Sequence, residues 1–239
     1  HFTSYRRGDH QIMAEIKLVV LDVAGTTAQD GGLVVKAFQI AMEPTNPTAE
    51  EFAEMTEYVI ATMGQRKIDV FTHLCKGDAE AAFAAHERFV TAYTDLVAEG
   101  ELVEFDGVSE FFRELRKRGI GVGISTGFPR EILDPIIYSL CWAELIDVSV
   151  AASEVAEGRP APDMIFRAVD IYNKATGLDL HPDQVAIAGD TESDMKAGVS
   201  AGAAIVLGVT SGQHSESELR ATGATQISPT VLSLLTLIN

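Results

Sequence analysis

Cysteine is nearly absent from this sequence. Its two residues, Cys75 and Cys141, are few enough to read as free thiols in a reducing cytoplasm rather than as one bridge. No apolar run approaches the roughly 18 residues of a membrane-spanning helix, so no membrane partner is expected. The opening segment, residues 1–12, lacks the apolar centre of a signal peptide. Met13 reads as a start, which makes residues 1–12 an extension or a cloning remnant. Basic residues are also scarce, with 18 Lys and Arg against 35 Asp and Glu, for a formal net charge of −17. A field of that sign disfavours nucleic acid as a partner. A small phosphorylated molecule can still bind where local donors outweigh it. Internal repeats and low-complexity tracts are missing too.

What is present is a chain of 239 residues, 46% of them hydrophobic, which suits one α/β domain with a small insert. Ile16 to Leu21 is a short apolar run with β-branched residues that stops at Asp22, and it reads as a buried strand. Residues of about 33 to 100 read as helical, with no strand evident. Thr48 and Glu51 have capping-box spacing. Phe52, Met55, Val59 and Met63 recur on one helix face, and Gly64 interrupts it. A second helix is expected from Gln65 to Cys75 and a third from Ala79 to Val97. After Gly100 the pattern alternates. Strands are expected at 120–124, 147–151, 185–188 and 204–207. Helices are expected at 109–117, from Pro129, at 162–174 and at 193–201. This alternation predicts an α/β fold, a doubly wound parallel sheet with helices on both faces.

In open α/β sheets, ligands bind outside the carboxyl ends of the strands. Asp22, Thr126, Arg159 and Asp190 fall at such ends or in the loops after them. A carboxylate directly after a buried strand is costly unless a cation or donors stabilise it. Asp190 and Asp194 repeat the theme in Gly189-Asp190-Thr191-Glu192-Ser193-Asp194. Capping of the following turns is the alternative for each motif alone. Together, two acidic loops facing one cleft make a hard oxygen site suited to Mg²⁺. Ser125-Thr126-Gly127 offers a hydroxyl and free N–H groups for phosphoryl oxygens. Arg159, in Gly158-Arg159-Pro160, offers a fixed cation for phosphoryl charge or for holding a nucleophile ionised.

Asp22-Val23-Ala24-Gly25-Thr26-Thr27 and the three motifs just quoted resemble, in order, the four motifs of the haloacid dehalogenase superfamily. The resemblance spans nearly the whole chain. It implies a Rossmann-like core of residues 13–32 and 101–239 with a helical cap, residues 33–100, inserted after the first strand. It also implies attack by Asp22 on phosphorus, giving an aspartyl-phosphate that water hydrolyses. Gly25, Thr26, Met63, Gly64 and Gly127 then become substrate-binding positions. Asp22, Asp190 and Ala24, which has only its backbone to offer, become the Mg²⁺ ligands, with Asp194 behind them.

Most phosphatases of the superfamily carry a second aspartate two residues after the nucleophile, where this chain has Ala24. Without that general acid, a poor alkoxide leaving group must be helped from elsewhere. The phosphonoacetaldehyde hydrolases, or phosphonatases, share this Asp-X-Ala-Gly-Thr-Thr motif. In them a cap lysine forms an imine with the substrate aldehyde and so becomes the electron sink for C–P cleavage. Met63-Gly64-Gln65-Arg66-Lys67 resembles their cap motif and puts Lys67 at the imine position. Arg159 matches the same branch. An imine-forming lysine needs a depressed pKa, which the sequence alone does not supply. Three positions depart from the phosphonatase pattern: Val70 replaces a histidine, Phe128 a tyrosine, and the Gly31-Gly32 loop lacks a cysteine. His73 and His86 read as structural or surface groups. The competing readings are hydrolysis of a small phosphate ester and a non-catalytic binding protein. The resemblance also makes a homodimer an expectation.

Overall fold

A computed structural model describes residues 15–238. The expected extension, residues 1–12, and Met13 lie outside them. Strands β1 (Leu18–Leu21) and β2 (Ala28–Gln29) precede four helices: α1 (Leu33–Met42), α2 (Ala49–Ala61), α3 (Lys67–Leu74) and α4 (Ala79–Ala98). Then come β3 (Val103–Glu104), α5 (Val108–Lys117), β4 (Gly121–Thr126), α6 (Arg130–Ser139) and β5 (Val148–Ala151). The chain finishes with α7 (Asp163–Thr176), β6 (Val185–Gly189), α8 (Glu192–Ala201), β7 (Ile205–Val209), α9 (Glu216–Ala221), β8 (Gln226–Ser228) and α10 (Leu234–Leu237).

Six strands form one parallel sheet in the order β5-β4-β1-β6-β7-β8. β1 sits inside it, and all four of its residues are buried, as expected for a strand covered on both faces. Alternation along β1 divides the core. Val19 and Leu21 pack with α5 and α6 on one face, whereas Leu18 and Val20 join the cluster beneath α7 and α8 on the other. The predicted doubly wound α/β architecture is therefore present.

The helical block leaves and re-enters the sheet layer through the antiparallel pair β2–β3. Thr48 and Glu51 form the expected capping box at the start of α2. The aromatic rings of Phe38, Phe71 and Phe89 hold the block together, with Phe71 centred 6.1 Å from Phe38 and 5.6 Å from Phe89. The chain of rings continues through Tyr93 to Phe128, 4.6 Å away in the loop after β4. The helices thus share one apolar cluster with a face of the sheet.

Several boundaries differ from the sequence reading. α2 ends at Ala61, so Met63 lies beyond it, because Gly64 takes a left-handed conformation (φ +85°). α3 begins at Lys67 instead of Gln65, with Arg66 extended as its N-cap. The pair β2–β3 went unread because two-residue strands carry no periodicity. The terminal β8 was also unread, its one apolar residue, Ile227, standing between Gln226 and Ser228. Cys75 and Cys141 are both free. His73 is exposed and stacks on Tyr58, and His86 packs edge-on against Phe71, in keeping with structural roles. Among the described residues, no helix is long and apolar enough to cross a membrane.

Phe71 is the centre of the aromatic packing and the anchor of α3. Phe71→Ala should destabilise the protein by about 3–5 kcal/mol, read from the shift of its urea unfolding curve.

Candidate active site

The sheet order sets β4, β1 and β6 side by side, so the residues at their carboxyl ends become neighbours. β1 delivers Asp22, β4 delivers Ser125 and Thr126, and β6 delivers Asp190. Arg159 arrives from the segment after β5. It is buried, not a surface arginine, and its guanidinium organises the centre. Nη1 lies 2.7 Å from Asp22 Oδ1 and 2.8 Å from Asp194 Oδ1. Nη2 donates to the Ser125 carbonyl at 2.9 Å and to the Ser125 hydroxyl at 2.7 Å. These bonds fix the orientation of Asp22.

Asp190 is held from two sides. The Gln213 N–H donates to Oδ2 at 2.8 Å, and the Thr26 hydroxyl lies 3.2 Å from Oδ1. The same hydroxyl reaches Asp22 Oδ2 at 3.4 Å. Burial, then the charges of Asp22 and Asp194, push the Asp190 carboxyl far above its usual range. Burial pushes Asp194 up to about 6, although Arg159 pulls it the other way. Both oxygens of Asp194 are engaged, Oδ1 by Arg159 and Oδ2 by the hydroxyl and N–H of Thr191 at 2.6 and 3.0 Å.

Asp22, Asp190 and Asp194 each place one carboxyl oxygen within 4.8 Å of the others. Three buried carboxylates against one buried arginine leave an excess of negative charge. An all-oxygen donor set with that excess fits a hard divalent cation such as Mg²⁺. Asp194, with both oxygens already bonded, suits the supporting position behind the ligands.

In front of this centre lies a small cavity of about 210 Å³. Asp22, Asp190 and Thr126 line its floor, together with Ala24, Gly25 and Gly127. Lys67, Met63, Gly64 and Phe128 also line it, so the helical block and the sheet share one chamber. Thr26, Arg159 and Asp194 do not line it. Their polar groups face Asp22 and Asp190 from behind.

Lys67 is 6% exposed despite opening a helix. Its ammonium nitrogen donates to the Gln65 carbonyl at 3.0 Å and stands 5.5 Å from the centre of the Phe128 ring. Burial lowers its pKa from 10.5 to about 8, with Arg159 adding to the effect and Asp22 opposing it. The positive end of α3 favours the neutral amine as well. Arg66 points elsewhere, to the carbonyls of Val155 and Ala156 at 3.2 and 3.1 Å.

The 63–67 turn is latched to the sheet. The Lys67 N–H donates to the Gly127 carbonyl at 3.2 Å, and the Ser193 hydroxyl to the Met63 carbonyl at 3.2 Å. Two glycines make the approach possible. A Cβ on Gly64 would sit 2.6 Å from Thr191 Oγ1, and one on Gly127 would collide with the Gln65 carbonyl.

Two groups in the chamber escaped the sequence reading. The loop after β7 brings Ser211, Gly212 and Gln213 to the cavity, with the Ser211 hydroxyl donating to the Gly25 carbonyl at 2.7 Å. Its position after an expected strand was the available signal. Asp30 lines the cavity from the turn before α1. It lies eight residues beyond Asp22 at the strand end, so no strand-end rule pointed to it.

A parallel sheet whose central strands present a carboxylate cluster under a helical layer defines a class of hydrolase. The sequence matches the haloacid dehalogenase-like hydrolases over residues 16–202, and the chain belongs to that family. Among curated proteins it is similar to pyrophosphatase PpaX of Bacillus cereus, 25% identical over 187 residues that cover 78% of this chain and 80% of the relative. Among solved structures, a phosphonoacetaldehyde hydrolase like protein from Oleispira antarctica superposes with a TM-score of 0.79 at 22% identity, covering 100% of this chain and 95% of the other. A hydrolase from Pseudomonas syringae gives 0.77 at 23% identity, covering 93% and 97%.

Gly127→Ala should keep the fold and push the 63–67 turn off the sheet. Amine reagents should then label Lys67 faster. Phosphate release should fall by about 10²-fold, the cost of displacing a positioned group by roughly an ångström.

Proposed function

We propose that this protein is a Mg²⁺-dependent hydrolase that cleaves the C–P bond of phosphonoacetaldehyde or a related small phosphonate. One observation carries the reading: the amine of Lys67 is buried in the same small chamber as the carboxylate of Asp22, with its pKa lowered to about 8. The chamber, at about 210 Å³, is smaller than the pockets that take drug-sized ligands, which favours a substrate of few carbons. In this reading residues 33–100 act as a cap over the core of residues 13–32 and 101–239.

The chemistry follows from these groups. Neutral Lys67 adds to the aldehyde carbon and loses water to form a protonated imine. Asp22 attacks phosphorus. The C–P bond breaks, its electron pair moves into the imine to leave an enamine, and the phosphoryl group passes to Asp22. Water then hydrolyses the aspartyl-phosphate. The imine stabilises the leaving carbanion, so the lack of an acid at Ala24 does no harm. Thr126 and the Gly127 and Gly25 backbone hold the phosphoryl oxygens, and Met63 and Gly64 close over the carbon end. Arg159 holds Asp22 in place and aimed. Asp22, Asp190 and the Ala24 backbone would hold Mg²⁺, which when bound supplies positive charge to the transferring phosphoryl group.

A second reading is hydrolysis of a small phosphate ester or anhydride, with Lys67 only binding substrate. The likeness to a pyrophosphatase favours it. A cytoplasmic location accords with two free thiols, and a homodimer rests on the family resemblance alone.

Borohydride added with phosphonoacetaldehyde should leave a mass adduct on Lys67, and Lys67→Ala should give neither adduct nor phosphate from that substrate. No adduct, with Lys67→Ala still hydrolysing phosphate esters, would establish the second reading. The amine must be neutral to attack, and its folded pKa lies near 8. The rate at which an amine-selective reagent labels Lys67 should therefore rise about tenfold per pH unit below 8 and level off above it.

A further inference from the structure

We propose that Asp30 is the general acid–base residue for the carbonyl chemistry of Lys67, positioned by Tyr93. The inference rests on the imine reading above and supplies the proton carrier that reading lacks. Four titratable residues line the chamber among the described residues: Asp22, Asp30, Lys67 and Asp190. Asp22 is bound to Arg159, and Asp190 is held by Thr26 and Gln213 next to the acidic cluster. Asp30 is the one of these three carboxyls that is bonded by backbone N–H groups alone. The positions where phosphonatases carry other polar groups are apolar here. Val70 and Phe128 are buried packing residues, and Gly32 has no side chain.

The local structure holds Asp30 in place. Its Oδ2 accepts from the Gly32 N–H and its Oδ1 from the Val34 N–H, each at 3.2 Å, at the N-terminal end of α1. Burial raises its pKa despite these two bonds and the nearby charge of Lys67, and Asp22 raises it further. Tyr93, on α4, is fully buried, and its hydroxyl makes no hydrogen bond. Burial raises its pKa well above 10, with Asp30 and Asp22 as the charges that act on it, so the phenol stays neutral. A neutral hydroxyl beside Asp30 can donate to the carboxylate or accept from the acid. It can thus follow the carboxyl through both protonation states. Asp30 thus shares the chamber with Lys67 on α3 and Asp22 after β1, its charge acts on Tyr93 on α4, and the N–H groups of Gly32 and Val34 bond it.

The proton balance is simple. The Lys67 amine forms an N–C bond to the carbonyl carbon, and the C=O π pair moves to oxygen. The surplus proton on nitrogen passes to that oxygen, giving a carbinolamine. Asp30, as the acid, protonates the hydroxyl as the C–O bond breaks. Water leaves, the nitrogen lone pair closes the protonated imine, and Asp30 becomes a carboxylate. After C–P cleavage the enamine takes a proton on carbon from solvent. Hydration of the resulting iminium by water releases one proton, which returns to Asp30.

The test is time-resolved borohydride trapping on the full chain with phosphonoacetaldehyde, for wild type, Asp30→Asn, Asp30→Ala and Tyr93→Phe. Asp30→Asn retains an oxygen acceptor for α1 and so guards against simple misfolding. It should form the Lys67 adduct about 10²-fold more slowly than wild type. Added formate should restore much of the rate in Asp30→Ala and leave wild type unchanged. Tyr93→Phe should slow trapping less, without formate rescue. Trapping by Asp30→Asn at the wild-type rate would overturn the proposal while leaving the imine reading intact. Slow trapping in Asp30→Ala that formate does not restore would also overturn it, because a structural role gives that pattern. No adduct on wild type would remove the imine reading, and this proposal with it.

Discussion

Three carboxylates buried beside a single arginine are the constraint around which this molecule is arranged. Each would be costly to desolvate alone, and their mutual repulsion adds to the cost. Arg159 offsets part of this by bonding Asp22 and Asp194 through one nitrogen and Ser125 through the other. The rest of the local structure delivers further donors: the Thr26 hydroxyl, the Gln213 N–H and the Thr191 cap of α8. The order β4-β1-β6 is what brings these groups within reach of one another. Burial, with the charge of Asp22 beside them, still raises both Asp190 and Asp194. A centre built this way has the oxygen donors that suit a hard divalent cation.

The same low-polarity surroundings act on Lys67 with the opposite sign. Burial disfavours charge of either kind, so it raises acids and lowers amines. In this chamber Asp30 moves up from the usual carboxyl range, and Lys67 moves down to about 8. Their proton affinities converge, which is what the proposed proton transfer in this chamber requires. The latch between the 63–67 turn and Gly127 produces that condition, since an open chamber would rehydrate both groups.

The sheet and its strand-end residues were legible because a buried parallel strand writes a continuous apolar run that stops where the chemistry starts. Asp22 and Asp190 stand out on that basis without any knowledge of contacts. Lys67 could be singled out by its motif, but its burial could not be read, because that depends on α3 starting at Lys67 and facing Gly127 across the layer boundary. Arg159 was expected to serve phosphoryl charge or the strand-end carboxylate, and its guanidinium lies against Asp22, a placement that no spacing encodes. Asp30 and Tyr93 were missed for a related reason. They are 63 positions apart in the chain numbering and meet only because α1 and α4 pack together.

The apolar departures from the phosphonatase pattern have a structural logic of their own. Val70 is 3% exposed on the same helix as Phe71, and Phe128 is 3% exposed with its ring against Tyr93. A histidine at the first position or a tyrosine at the second would put a polar atom into a continuous apolar cluster. Here the polar atoms come from other elements. The Tyr93 hydroxyl is buried within the row of rings, and the Asp30 carboxyl stands just before α1. The wall of the chamber is thus apolar beside Lys67, at Phe128, and polar at Asp30 and at the strand ends. In the proposed reading the anionic end of the substrate faces the strand termini and its small carbonyl end faces Lys67.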